Sequence, residues 1–214
     1  MMDKITVSDL PGLFGSVGRV MSENADHLCE MDANMGDGDL GLTMKKGFNA
    51  LPEILEAIDE PDLGKKLAKA GMKMASVVPS TMGTLMASAI MSGGKALAGC
   101  EAIGPAEFVR YLGAAADGIA KRGKCARGDR TVLDAVGAAA DKAAALLASD
   151  PSASLPELAR AALTGAEEGV AATREMMPKF GKALVHAAKA LGTDDQGATA
   201  GMLMIRGFCE FICA

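Results

Sequence analysis

The chain has no Trp, one Tyr and six Phe, so aromatic residues make up only 3% of it. A strand-rich fold draws on such residues, and their scarcity counts against one. Only two His are present, and the five Cys include no Cys-x-x-Cys pair. That leaves too few ligands in register for a zinc site. Cys29, Cys100, Cys125, Cys209 and Cys213 are odd in number and irregularly spaced. Reduced thiols of a cytosolic protein account for them most simply. No apolar run reaches the ~18 residues of a membrane span, and the opening MMDKITVSDL lacks the apolar stretch of a secretion signal. Basic residues number 22 against 27 acidic, a net charge of −5. A nucleic-acid binder carries the opposite surplus. The expectation is a cytoplasmic protein with neither nucleic acid nor membrane as partner.

What the chain does have is half its residues apolar, drawn from Ala, Leu, Val, Ile and 15 Met. These are mostly helix formers. The apolar period is three and four almost throughout. Leu10, Leu13, Phe14, Val17, Val20 and Met21 form one stripe, and Leu63, Leu67, Ala70, Met74 and Val77 the cleanest. Ser154-Leu155-Pro156-Glu157 reads as a capping box that opens a helix through Val170 towards Met176. His27 falls at the end of the first helix and His186 in an Ala-rich stretch, neither beside a nucleophile. The pattern predicts an all-α fold of about eight helices. No long linker or composition shift divides it, so residues 1–214 are expected to form one domain.

Four loops between the helices carry polar chemistry. In the first, Asp32, Asp37 and Asp39 fall within eight residues, with Gly36 and Gly38 among them and Gly41 just beyond. Clustered carboxylates repel unless a cation sits between them. Hard oxygen ligands on a tight loop suit Mg²⁺. An EF-hand is excluded, because the twelfth position counted from Asp37 is Phe48 rather than Glu. The plainer alternative is a turn in which Asp37 or Asp39 caps the next helix.

The second loop, Val78 to Thr84, offers hydroxyls and free N–H groups at a helix start. That arrangement can hold an anion, or Ser80 or Thr81 is simply an N-cap. The third, Arg122 to Asp134, gathers basic residues in an acidic chain, and Asp129 or Thr131 can cap the helix after it. The fourth joins Lys182 to Gly192–Ala198, which by itself signals only a turn.

Together the four loops resemble one family, the nucleotide-binding L subunit or domain of dihydroxyacetone kinases. The family's G-D-x-D-H-G is matched by Gly36, Asp37, Asp39 and Gly41, preceded by Asp32 and followed by Met44, Gly47 and Phe48. Its R-G-K-x-x-x-G-D-K/R-T-x-x-D is matched from Arg122 through Gly128, Asp129, Arg130 and Thr131 to Asp134. Its late G-R-A and G-x-x-D-P-G-A motifs align with Gly181-Lys182-Ala183 and with Gly192, Asp195, Gln196, Gly197 and Ala198.

The resemblance implies an antiparallel barrel of about eight helices with the nucleotide at one end. It implies that Asp32, Asp37 and Asp39 are the catalytic and metal-ligating residues, holding two Mg²⁺ that bridge the phosphates. Leu40, Gly41, Leu42, Thr43, Ser80, Thr81 and Met82 would lie on the phosphate side. Gly123 and Val132 would lie towards base and sugar, and Asp129 would also bind the nucleotide. Lys182, Asp195, Gln196 and Gly197 would close over the nucleotide. The chain would then be half of a kinase. It would pass phosphoryl from ATP, or from a bound ADP recharged by a phosphotransferase-system protein, to a short ketose on a separate K-type subunit.

Leu40 replaces the family His, Lys182 the Arg, Gln196 the Pro and Val185 a Tyr. Lys182 keeps the charge but not the planar fork. These changes leave the carboxylates in place and point to another short ketose or sugar acid, used with ATP. They also keep open a non-catalytic nucleotide sensor that docks on a transcription factor. The oligomeric state, a homodimer included, is left open.

Overall fold

In the computed structural model the described residues are 2–181, 184 and 187–214. Among them no strand forms, and the sole β feature is an isolated antiparallel bridge between Ile5 and Ile103. The helices are α1 (Leu10–Glu23), α2 (Ala25–Ala33), α3 (Leu40–Glu56), α4 (Leu63–Val77), α5 (Thr81–Ala96) and α6 (Pro105–Gly123). They continue with α7 (Val132–Ser149), α8 (Leu155–Ala172), α9 (Ala187–Ala190) and α10 (Gln196–Cys213). Eight of these run to 14 residues or more. The predicted all-α class holds.

Local chemistry sets the boundaries. Ser154 and Glu157 form the expected capping box, with Glu157 Oε2 accepting the Ser154 N–H at 2.8 Å. The helix they open stops at Ala172, and a 3₁₀ turn over Thr173–Glu175 follows. His27 lies on α2 rather than at the end of the first helix. The backbone leaves helical geometry at Asn24, whose amide side chain donates back to the Val20 carbonyl at 2.8 Å.

Each long helix packs against the next in the chain, and α10 closes the ring against α1 and α8. The contacts show antiparallel neighbours. Gly64 at the start of α4 meets Leu97 and Ala98 just beyond α5, while Gly71 meets Ala87 and Met91. Gly169 near the end of α8 meets Asp134 at the start of α7. Gly207 of α10 sits against Val17 of α1, where a Cβ would stand 2.5 Å from the Val17 Cα. Glycine lets these backbones approach.

The ring encloses a continuous apolar core in which Phe14, Phe48 and Phe208 are the largest fully buried side chains. Burial of each contributes about 1.5–3 kcal/mol. Phe14 and Phe208 meet edge to face at 5.6 Å.

Alternation has one consequence for function. Because neighbours run antiparallel, α3, α5, α7 and α10 all begin at the same end of the ring. Their first residues, near Leu40, Thr81, Val132 and Gln196, gather there. Each helix start carries unpaired N–H groups and about half a positive charge. No helix among the described residues is long and apolar enough to cross a membrane.

Candidate metal and nucleotide site

Asp32, at the end of α2, is buried, while Asp37 and Asp39 are exposed on the loop into α3. One carboxylate oxygen from each can be chosen so that the three lie within 4.8 Å of one another. Asp32 Oδ2 accepts the backbone N–H groups of Gly38, Asp39 and Leu40 at 3.0, 3.1 and 3.3 Å. It thereby satisfies donors at the start of α3 that would otherwise be orphaned. This longer reach stands where the alternative reading put an Asp39 cap. Asp39 occupies the N-cap position of α3, but its side chain makes no cap bond.

The loop needs its glycines. Gly38 has φ +78°, in the left-handed region. A Cβ on Gly41 would stand 1.8 Å from the Ala25 carbonyl oxygen, so α3 can approach α2 only with glycine there.

The carboxylates open onto a cavity of about 260 Å³, walled also by Leu40, Thr43, Ser80, Thr81, Met82, Gly181 and Gln196. Ser80 caps α5 by accepting the Gly83 N–H at 3.0 Å, as one sequence reading anticipated. A second space of about 200 Å³ shares Asp32, Leu40, Thr81, Met82, Gly181 and Gln196 with the first. It extends inward to Leu85, Arg130, Thr131, Val132, Phe180, Asp195 and Gly197. One end of the combined space is acidic and ringed by helix starts. The other is largely apolar, with Met82, Leu85, Val132 and Phe180 beside the buried Arg130 and Asp195. That polarity suits a ligand with a charged tail and a flat apolar head.

Some expected residues stand elsewhere. Leu42 is 61% exposed and outside both cavities. Gly41 faces Ala25 instead of the cavity. Gly123 packs towards Leu85 and Cys125, one layer behind the apolar wall. Asp129 is buried outside the lining, accepting Ala126 N–H at 2.7 Å and Lys179 Nζ at 2.6 Å. The Lys179 ammonium, ahead of the Ala126 bond, holds the Asp129 carboxyl below its ordinary range. Lys182 and Val185 lie outside the described residues, as does His186.

Asp195 is buried at the N-cap of α10, accepting the Ala198 N–H at 2.8 Å. Burial pushes its pKa up to about 6, against the opposing pull of the Ala198 bond and of Arg130. Arg130, Leu85, Thr131 and Phe180 line the cavity without having been singled out as site residues from sequence. Arg130 had a signal in its motif, since it falls within the basic third loop. Leu85 and Phe180 read only as ordinary apolar residues.

The fold and this site define a class of all-helical domains with clustered carboxylates and several helix starts around a cavity at one end of a helical ring. A family profile described as the DAK2 domain matches residues 34–210. The chain belongs to that family, which is the L-subunit family of the dihydroxyacetone kinases.

Among its relatives is the Escherichia coli PEP-dependent dihydroxyacetone kinase ADP-binding subunit DhaL, 29% identical over 88% of this chain and 89% of that protein. The D-erythrulose kinase of Mycolicibacterium smegmatis is 30% identical over 93% of this chain and 34% of its own length. The chain thus spans nearly all of the first relative and about a third of the second. Dihydroxyacetone kinase of C. freundii in complex with AMP-PNP and Mg²⁺ superimposes with a TM-score of 0.67 at 23% identity, over 98% of this chain and 35% of that one. That likeness supports the fold.

Proposed function

We propose that residues 1–214 act as one nucleotide-binding domain, the nucleotide-carrying subunit of a short-ketose kinase in the cytoplasm. In this reading the chain holds ATP, or an ADP phosphorylated in place by a phosphotransferase-system protein. It passes a phosphoryl group to dihydroxyacetone or a related ketose on a separate K-type subunit. The observation that carries the reading is the meeting of three carboxylates with four helix starts around one cavity. The ADP-binding relative and the erythrulose kinase support the nucleotide and the class of sugar.

The donor set fits Mg²⁺. Asp32, Asp37 and Asp39 offer hard oxygens on a short loop, and backbone N–H groups hold Asp32 in place. A pair of such ions on the three carboxylates is part of the proposal. Bound there, the metal neutralises charge on the phosphate oxygens.

The chain's own groups supply the rest. The start of α5, with Ser80, Thr81 and Met82 on the cavity wall, takes the phosphate side. Met82, Leu85, Val132 and Phe180 take the base out of water. Gln196 and Gly197 close the near wall. In transfer, the bond from the terminal phosphorus to the ADP oxygen breaks as a bond to the ketose hydroxyl oxygen forms. The hydroxyl proton leaves to a base on the K-type subunit. Positioning and charge neutralisation supply most of the catalysis in such a step.

The test is reconstitution with a K-type subunit, following ketose phosphate formation with ATP or with a phosphorylated donor protein. Turnover with either donor supports the proposal. Nucleotide binding without turnover from either donor contradicts it and favours the nucleotide sensor.

A further inference from the structure

Asp129 and Arg130 are consecutive buried residues just before α7. Both use their side chains on the stretch that joins α8 to α10. Arg130 ties that stretch at its two ends. Its Nη1 donates to the Thr173 carbonyl at 2.7 Å, and its Nη2 to Thr193 Oγ1 at 3.0 Å. Asp129 grips the middle. Its Oδ1 accepts Lys179 Nζ at 2.6 Å, and its carbonyl accepts the Lys179 N–H at 3.3 Å. The next two residues, Phe180 and Gly181, line the cavity.

The turn that presents this pair is itself held firmly. Arg130 has φ +61°, a conformation that is costly for a residue with a Cβ. Asp134 accepts the N–H groups of Gly128 and Thr131 on either side, at 2.6 and 2.7 Å. A strained arginine kept in place by flanking bonds is a pre-organised anchor. Among the described residues the buried Arg130 Nε has no hydrogen-bond partner, and it faces Asp195 Oδ1 at 3.8 Å. The guanidinium therefore also places a positive charge beside the start of α10.

We propose that Asp129 and Arg130 are positioning residues. They clasp Thr173, Lys179 and Thr193, set Phe180 over the apolar end of the cavity, and so slow the release of nucleotide. The inference rests on reading that cavity as the nucleotide seat. It assigns Asp129 a role through Lys179 in place of direct contact with the ligand.

The experiment measures release of Mg²⁺-ADP by stopped flow, and backbone hydrogen exchange over residues 176–181 without nucleotide. It uses the wild type, Lys179→Met, Lys179→Arg and Arg130→Met. The Lys179 side chain is 64% exposed, so Lys179→Met keeps the test alive should Arg130→Met fail to fold. The expected result for Lys179→Met is release about three- to tenfold faster, the scale of one partly exposed charge-assisted bond. Exchange over 176–181 should also quicken, and Lys179→Arg should restore both. Binding by the wild type with an unchanged release rate in Lys179→Met overturns this inference alone. Unchanged exchange over 176–181 also overturns it. A wild type that takes up no Mg²⁺-ADP overturns the nucleotide seat and this inference with it.

Discussion

Arg130 Nε stands 3.8 Å from Asp195 Oδ1, and both side chains are buried at the inner wall of the cavity. The pair is too long for a direct hydrogen bond. Asp134 adds a second negative charge nearby, and burial outweighs the arginine in setting the Asp195 pKa near 6.

A pH dependence of stability follows. The folded pKa of Asp195 is raised above its ordinary 3.8, so the fold favours the protonated form. The contribution is fully present below about pH 4 and is lost as pH rises through about 6. A shift of this size corresponds to about 3 kcal/mol. Asp195→Asn keeps an N-cap acceptor for Ala198 and removes the titration. Thermal midpoints of wild type and variant between pH 4 and 7 should diverge, with the variant gaining relative stability towards pH 7. Parallel curves would contradict the buried carboxylate account.

Gly41 is predicted to tolerate no side chain. Any Cβ overlaps the Ala25 carbonyl, a backbone atom that cannot swing aside. Gly41→Ala should cost at least about 2 kcal/mol, near the upper range of ordinary overpacking. Urea unfolding measures it. Gly113→Ala is the control, since a Cβ there meets nothing within 4 Å.

The core should be separable from the site. Phe208 packs edge to face on both Phe14 and Tyr111, at 5.6 and 6.1 Å, and lines neither part of the cavity. Phe208→Ala should destabilise the chain by about 3–5 kcal/mol. Well below its lowered melting temperature it should retain Mg²⁺-ADP affinity within about twofold. Calorimetry at two temperatures distinguishes the effects.

The helices were legible because their apolar spacing repeats every three to four residues, and Ser154 with Glu157 is a local signal. The Asp32–Asp39 loop was legible as chemistry, since repelling charges packed into eight residues ask for an explanation. The division of α1 from α2 was not, because Leu28 continues the apolar stripe past Asn24. Arg130 could not be read as an anchor, because its partners Thr173 and Thr193 lie 43 and 63 residues away. Asp129 was placed near the ligand by resemblance. Its bond to Lys179, 50 residues distant, depends on tertiary structure.

Asp32 is the residue on which the account of the site turns, since it is both a buried carboxylate of the cluster and the acceptor for three N–H groups of the loop. The most direct measurement is titration calorimetry of ADP with Mg²⁺ and with EDTA, on wild type and Asp32→Asn, with helix content checked by circular dichroism. The wild type should bind ADP only with Mg²⁺ present. In the folded variant that affinity should fall by at least the about 10- to 100-fold that loss of even an outer-shell partner costs a metal site. Equal ADP affinity in EDTA and Mg²⁺, or an Asp32→Asn variant that binds as the wild type does, would contradict it.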